Sequence, residues 1–168
     1  TLLVGEAATA FAREMGFKEE PLETRESLEQ WRSWRETKHC QPNFRRNVKP
    51  DPTTSCGPYM PLYGASSYSA GFTSLERPPG SVDEEHHDTI GMIALDNQGH
   101  MAAGTSTNGA GHRIPGRVGD TAIVGAGAYV DDRVGGAAGT GDGDLLMRFL
   151  LSYHAVTLME SGMSPRSA

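Results

Sequence analysis

The chain has 168 residues, 15 Lys and Arg against 21 Asp and Glu, and a formal net charge of -6. That length suits one domain with a real core, and the acidic balance gives no electrostatic basis for nucleic-acid binding, which needs a clustered basic face. The one basic cluster, around Arg45 and Arg46, is short, and no apolar run approaches the ~20 residues of a bilayer-spanning helix.

Leu3, Ala7, Ala10 and Phe11 recur at helical spacing, and Gly16 supplies a stop. Residues 24–38 carry Leu28, Trp31 and either Trp34 or Arg35 on one side of a second, charged helix. From Cys40 to Glu85 regularity fails, and most of the ten prolines lie there. An irregular run above ~15 residues in a compact domain is commonly functional or a linker. Cys40 and Cys56 bracket a proline-rich loop. A bridge between them closes about 15 residues, is worth about 3 kcal/mol on the loop-entropy model, and implies an oxidising compartment. Two unrelated buried thiols are the alternative; the low apolar content of the loop favours the bridge.

Strands are expected at 90–96 and 100–106, joined by the turn NQGH, with two small-residue strands near 122–130 and 134–139. The last element reads as one long helix. Asp144 is its candidate cap, Gly162 its stop, and Leu145, Phe149, Tyr153, Val156 and Met159 lie along one stripe. Helices, then strands, then a helix again indicate α+β layers. The six histidines fall in no metal-ligand spacing.

Thr89 stands where an acidic, proline-containing run, SLERPPGSVDEEHHD, gives way to an apolar strand. A threonine at a strand start is ordinarily structural, because β-branched residues suit strands. It becomes a nucleophile when a base stands beside it, and its own α-amine serves once the chain is cut before it. The amine has a pKa near 8 against about 10.4 for lysine, about 3.4 kcal/mol in the proton equilibrium, so it accepts a proton near neutral pH. Cleavage between Asp88 and Thr89 is required, and a polar loop tolerates a cut.

Three downstream segments complement Thr89. GTSTNG offers the hydroxyls of Thr105, Ser106 and Thr107; GRVGD offers Arg117 and Asp120; GTGDGD offers Thr140 and backbone N–H groups ahead of a helix. Each has a structural counterpart: a hairpin turn, a surface ion pair, a helix cap. Taken together, Arg117 suits a carboxylate and Asp120 an ammonium, the two ends of a free amino acid.

In chain order HDTIG, GHMAAGTSTNG, GRVGD, GAGAYVDD, GTGDGD and MRFLLSYHAV, preceded by TLLVGE, CQPNF and CGPY, resemble the glycosylasparaginase (aspartylglucosaminidase) family of N-terminal-nucleophile hydrolases within the asparaginases. The resemblance spans nearly the whole chain. It implies a four-layer αββα sandwich, here incomplete at both termini, in which residues 1–88 belong to an α-subunit and 89–168 to a β-subunit of one domain. It implies autocatalytic cleavage at Asp88-Thr89, then hydrolysis of GlcNAc-asparagine by Thr89. Thr107 tunes the nucleophile, and Thr140 and Gly141 stabilise the oxyanion. Arg117, Val118, Gly119, Asp120, Asp142 and Gly143 complete the substrate pocket. Asp142 stands where the family pattern leads one to expect asparagine, and neither Trp31 nor Trp34 matches the family's substrate-contacting tryptophan. The resemblance further implies no cofactor, no metal, no membrane or nucleic-acid partner, a small-molecule substrate, an (αβ)2 assembly of the full-length protein, and a lysosomal location reached by the secretory pathway. A plant-type asparaginase or isoaspartyl peptidase with the same threonine chemistry is the nearest alternative, although glycine is expected there before the nucleophile. An inactive relative is the other.

Overall fold

The computed structural model describes residues 2–38, 40–42, 48–50, 56, 58–61 and 89–168. Asp88, the expected scissile bond and the polar run before it lie outside the described residues. The chain divides into two compact units, Thr1–His39 and Cys40–Ala168.

The first unit holds α1 (Gly5–Glu14) and α2 (Arg25–Lys38). The expected glycine stop operates: Gly16 takes φ +91 and its N–H bonds the Arg13 carbonyl at 2.9 Å, satisfying a terminal acceptor. The α2 N-terminus is closed reciprocally. Ser27 N–H donates to Thr24 Oγ1 at 3.1 Å and Thr24 N–H to Ser27 Oγ at 2.8 Å. On the same helix the Arg35 guanidinium lies 4.7 Å from the Trp31 ring centroid.

The second unit opens with the Cys40–Cys56 disulfide, whose Cα atoms are 5.0 Å apart. Two strands fall in the run expected to be irregular: β1 (Val48–Pro50) and β2 (Tyr59–Pro61), paired antiparallel. At three residues each, both ending in proline, they are too short for alternation to reveal.

Strands β3 (Ile90–Leu95) and β4 (Met101–Ser106) form the expected hairpin, with Ile90 opposite Ser106 and Leu95 opposite Met101. Asp96 closes the turn, its Oδ1 accepting from Gln98 N–H and His100 N–H, each at 2.8 Å. A second hairpin pairs β5 (Ala128–Asp131) with β6 (Gly135–Ala138). Where a strand over 122–130 is expected, a 3-10 turn at Asp120–Ala122 and an irregular segment come first. Glycines at 125 and 127 shorten the strand to its β-branched and aromatic end.

The two hairpins meet face to face through small residues. A Cβ placed on Gly91 would come 2.7 Å from Ala138 Cβ, and one on Gly136 would come 2.9 Å from Ile93 Cγ2. Only glycine allows backbones that close, so Gly91 and Gly136 mark the contact between the layers. Two polar ties lock the register: Met101 N–H donates to Asp132 Oδ1 at 2.7 Å, and Thr105 Oγ1 donates to the Thr121 carbonyl at 2.9 Å.

The expected single helix is two: α3 (Gly143–Phe149) and α4 (Leu151–Glu160), separated by Leu150 at φ +48. A left-handed residue ends the hydrogen-bond ladder and redirects the chain. The buried face therefore departs from the expected stripe. Of that stripe Leu145, Phe149 and Tyr153 are exposed, whereas Val156 is buried and Met159 half-buried as expected, and Ser152, outside the stripe, is buried with them. Ser152 Oγ donates to the Ala126 carbonyl at 2.8 Å, and the Tyr129 and Tyr153 rings meet edge to face at 5.0 Å. This unit is thus layered hairpin, hairpin, helix, an α+β arrangement. The outward face of the first hairpin carries Ile90 and Met92, both more than three-fifths exposed.

Candidate active site

Thr89 immediately precedes β3 and is half-buried. Its Oγ1 lies 2.9 Å from Thr107 Oγ1, just past the end of β4. The register explains the meeting: Ile90 is opposite Ser106, so the next residues outward on each strand are 89 and 107. Thr107 Oγ1 also accepts from Gly109 N–H at 2.9 Å, which holds the hydroxyl in place and lets it donate to Thr89.

The loop from Thr107 leads to Arg117, whose side chain is 12% exposed. Its Nε and Nη2 donate to Asp144 Oδ1 at 3.2 and 3.0 Å. Asp120, in the 3-10 turn, is 5% exposed, and its Oδ2 is buried without a hydrogen-bond partner among the described residues. Burying a carboxylate oxygen unpaired is costly, so an orphaned one marks a place for a cation or donor. Gly143 stands between the two groups. A Cβ there would lie 2.5 Å from Asp120 Oδ1 and 3.2 Å from Arg117 Nη2. Gly119 gives room likewise, since its Cβ would lie 2.8 Å from Arg117 Nη1.

Arg117, Gly119, Asp120 and Gly143 are therefore gathered, and Thr89 and Thr107 are joined beside them. Val118 is 57% exposed and Thr140 is exposed, with Gly141 half-buried next to it. Asp142 is the cap of α3: its Oδ1 accepts from Asp144 N–H at 3.1 Å and Leu145 N–H at 3.4 Å. Asp144, expected as that cap, instead lies in the first turn and turns its carboxylate to Arg117. The break at Leu150 shortens the helix at one end, its start is set by the Asp142 cap, and Gly143 just inside that start tolerates the crowding at Asp120. Asp144 is the site neighbour that sequence reasoning missed; its signal is the second acidic residue of GDGD, two positions beyond the one that caps.

The arrangement brings paired hydroxyls, the Arg117 guanidinium with that of Arg113 beside Gly109, and a buried carboxylate within a short loop's reach. The whole chain, residues 1–168, matches the asparaginase family, to which it belongs. It is 52% identical over 170 residues to mouse N(4)-(beta-N-acetylglucosaminyl)-L-asparaginase, covering all of this chain and 46% of that protein. The rat protein of the same name is 51% identical over 168 residues, again covering all of this chain and 46% of that protein. A Drosophila sechellia relative, given the same name provisionally, is 52% identical over 168 residues, the whole of this chain and 42% of its own length. The chain thus spans less than half the length of these relatives.

Proposed function

We propose that the full-length protein is an N4-(β-N-acetylglucosaminyl)-L-asparaginase that hydrolyses the GlcNAc-asparagine amide after cleaving itself between Asp88 and Thr89. The observation that carries this reading is the 2.9 Å contact between the Thr89 and Thr107 hydroxyls beside the Arg117 and Asp120 pocket. The names of relatives about 52% identical over the whole chain support the substrate.

In the precursor the Thr89 hydroxyl attacks the Asp88 carbonyl, the nitrogen of Thr89 leaves, and water hydrolyses the resulting ester. The α-amine so freed is the base for the second reaction. It takes the Thr89 hydroxyl proton as Oγ1 attacks the asparagine side-chain carbonyl, then returns it to the departing glycosylamine. A β-aspartyl ester on Thr89 remains, and water activated by the same amine releases aspartate. Thr107 donates a hydrogen bond to the nucleophile and holds its rotamer. Arg117 takes the α-carboxylate and Asp120 the α-ammonium, the latter supported by the unpartnered buried Oδ2.

Thr140 and Gly141 receive the oxyanion, worth roughly 3 kcal/mol per donor. The packing of the hairpins supports this assignment. Gly91 faces Ala138 and Ile93 faces Gly136, and the same antiparallel spacing carried one step past the strand ends would pair 89 with 140. Residues 1–88 form part of the α-subunit and 89–168 part of the β-subunit of a four-layer αββα domain, assembled as (αβ)2 in a lysosomal setting.

The test is an intact-mass spectrum of the full-length protein with assays on GlcNAc-asparagine, L-asparagine and β-aspartyl dipeptides. Two fragments joining at 88 and 89 and a preference for GlcNAc-asparagine are expected. Thr89→Ala should be a single uncleaved chain with no turnover; a cleaved Thr89→Ala protein removes the mechanism.

A further inference from the structure

A guanidinium holds a carboxylate along one of its edges, through Nε with one Nη or through the two Nη groups together. In Arg117 the Nε–Nη2 edge is taken, both nitrogens donating to Asp144 Oδ1. The Arg113 guanidinium stands nearby, its Cζ 3.6 Å from the Cβ position of Gly109, and the Nη1 side of Arg117 runs along two glycines. It lies 2.8 Å from the Cβ position of Gly119 and 3.3 Å from that of Gly109. Gly109 N–H bonds Thr107 Oγ1, which contacts Thr89, so Nη1 is turned toward the loop that carries the nucleophile.

A second carboxylate competes for the same cation. The Cβ position of Gly143 is 2.5 Å from Asp120 Oδ1 and 3.2 Å from Arg117 Nη2, so the two groups are near neighbours. Yet the ion pair of Arg117 among the described residues is with Asp144, and Asp120 Oδ2 stays buried without a partner. Asp144 stands in the first turn of α3, whose start is held by the Asp142 cap, which gives its carboxylate a rigid base.

We propose that Asp144 is a positioning residue of the amino-acid pocket. It holds Arg117 by the Nε edge so that the edge bearing Nη1 meets an α-carboxylate, and it keeps the guanidinium off Asp120, whose oxygen stays available to an α-ammonium. The proposal deepens the reading above and takes from it the identity of the ligand.

The test is calorimetric binding to the full-length protein of L-aspartate and of β-alanine, which keeps the amine and the side-chain carboxylate but lacks the α-carboxylate. Wild type should prefer aspartate. Asp144→Ala should weaken aspartate by about 10- to 100-fold, the range of a charged hydrogen bond, and β-alanine by less, so the preference shrinks. Asp144→Asn, isosteric and still an acceptor, should fall between, and it carries the test should the alanine variant not fold. Equal losses for both ligands indicate a merely structural role and overturn the proposal, as do unchanged affinities or a wild type that does not distinguish the ligands. Turnover of GlcNAc-asparagine by wild type is scored apart: the expected binding pattern without turnover removes the assigned activity and leaves the role of Asp144 standing.

Discussion

Replacing Gly143 by alanine should cost more activity than stability. The added Cβ would stand 2.5 Å from Asp120 Oδ1 and 3.1 Å from the Asp120 backbone nitrogen, whereas carbon and its neighbours rest at roughly 3.5 Å. The carboxylate must therefore retreat by about 1 Å, and because Asp120 is buried it has little free space into which to go. Two stability effects oppose each other. Alanine is favoured over glycine in a helix by about 1 kcal/mol, while overpacking costs about 1–3 kcal/mol, so the net loss is about 0–2 kcal/mol. A displacement near 1 Å in a positioning group costs about 10²-fold in rate, close to 2.7 kcal/mol of transition-state stabilisation. Steady-state kinetics on GlcNAc-asparagine beside thermal unfolding of the full-length protein gives both numbers. A Gly143→Ala protein with wild-type kcat/KM would refute the reasoning, since Asp120 would then have no part in holding substrate.

Three further outcomes follow from the packing and charges. Asp132→Ala removes the acceptor for Met101 N–H and should lower stability by about 1–2 kcal/mol in chemical denaturation, leaving the Thr89 site intact. Arg133 hydrogen-bonds Asp131 and holds its carboxyl down at about 2 from an ordinary 3.8. The contribution of that pair is thus complete above pH 3.8 and lost as pH falls through about 2, and NMR titration of Arg133→Ala should return Asp131 toward its ordinary value. Replacing Cys40 and Cys56 by serine opens a loop of sequence separation 16 and should cost about 2–4 kcal/mol, read as a lower denaturation midpoint under non-reducing conditions.

Local rules carried well where the signal lies within a few residues. Short apolar runs on either side of the turn NQGH define the hairpin of β3 and β4, and the Gly16 stop ends the first helix. The bridge between Cys40 and Cys56 was likewise legible, because spacing and loop composition both favour it. The proline-ended strands β1 and β2 were not, since three residues contain no period. The final helix misled in a different way: its apolar residues keep one helical spacing from Leu145 to Met159, and nothing local announces that Leu150 adopts φ +48. That break follows from the fit of α4 on the second hairpin, through Ser152 on the Ala126 carbonyl and Tyr153 on Tyr129.

The amino-acid sequence by itself determined which residue types were available to the site and where the strands that deliver Thr89 and Thr107 begin and end, because strand alternation and turn chemistry act between near neighbours. Only tertiary structure decided how the charges are shared. Asp142, Asp144 and Asp120 are chemically alike, yet one caps a helix, one holds Arg117 and one keeps a buried oxygen free. Those assignments depend on which carboxylate the packed layers bring to the guanidinium and which they bury, distances that arise across some 20 residues or more of chain.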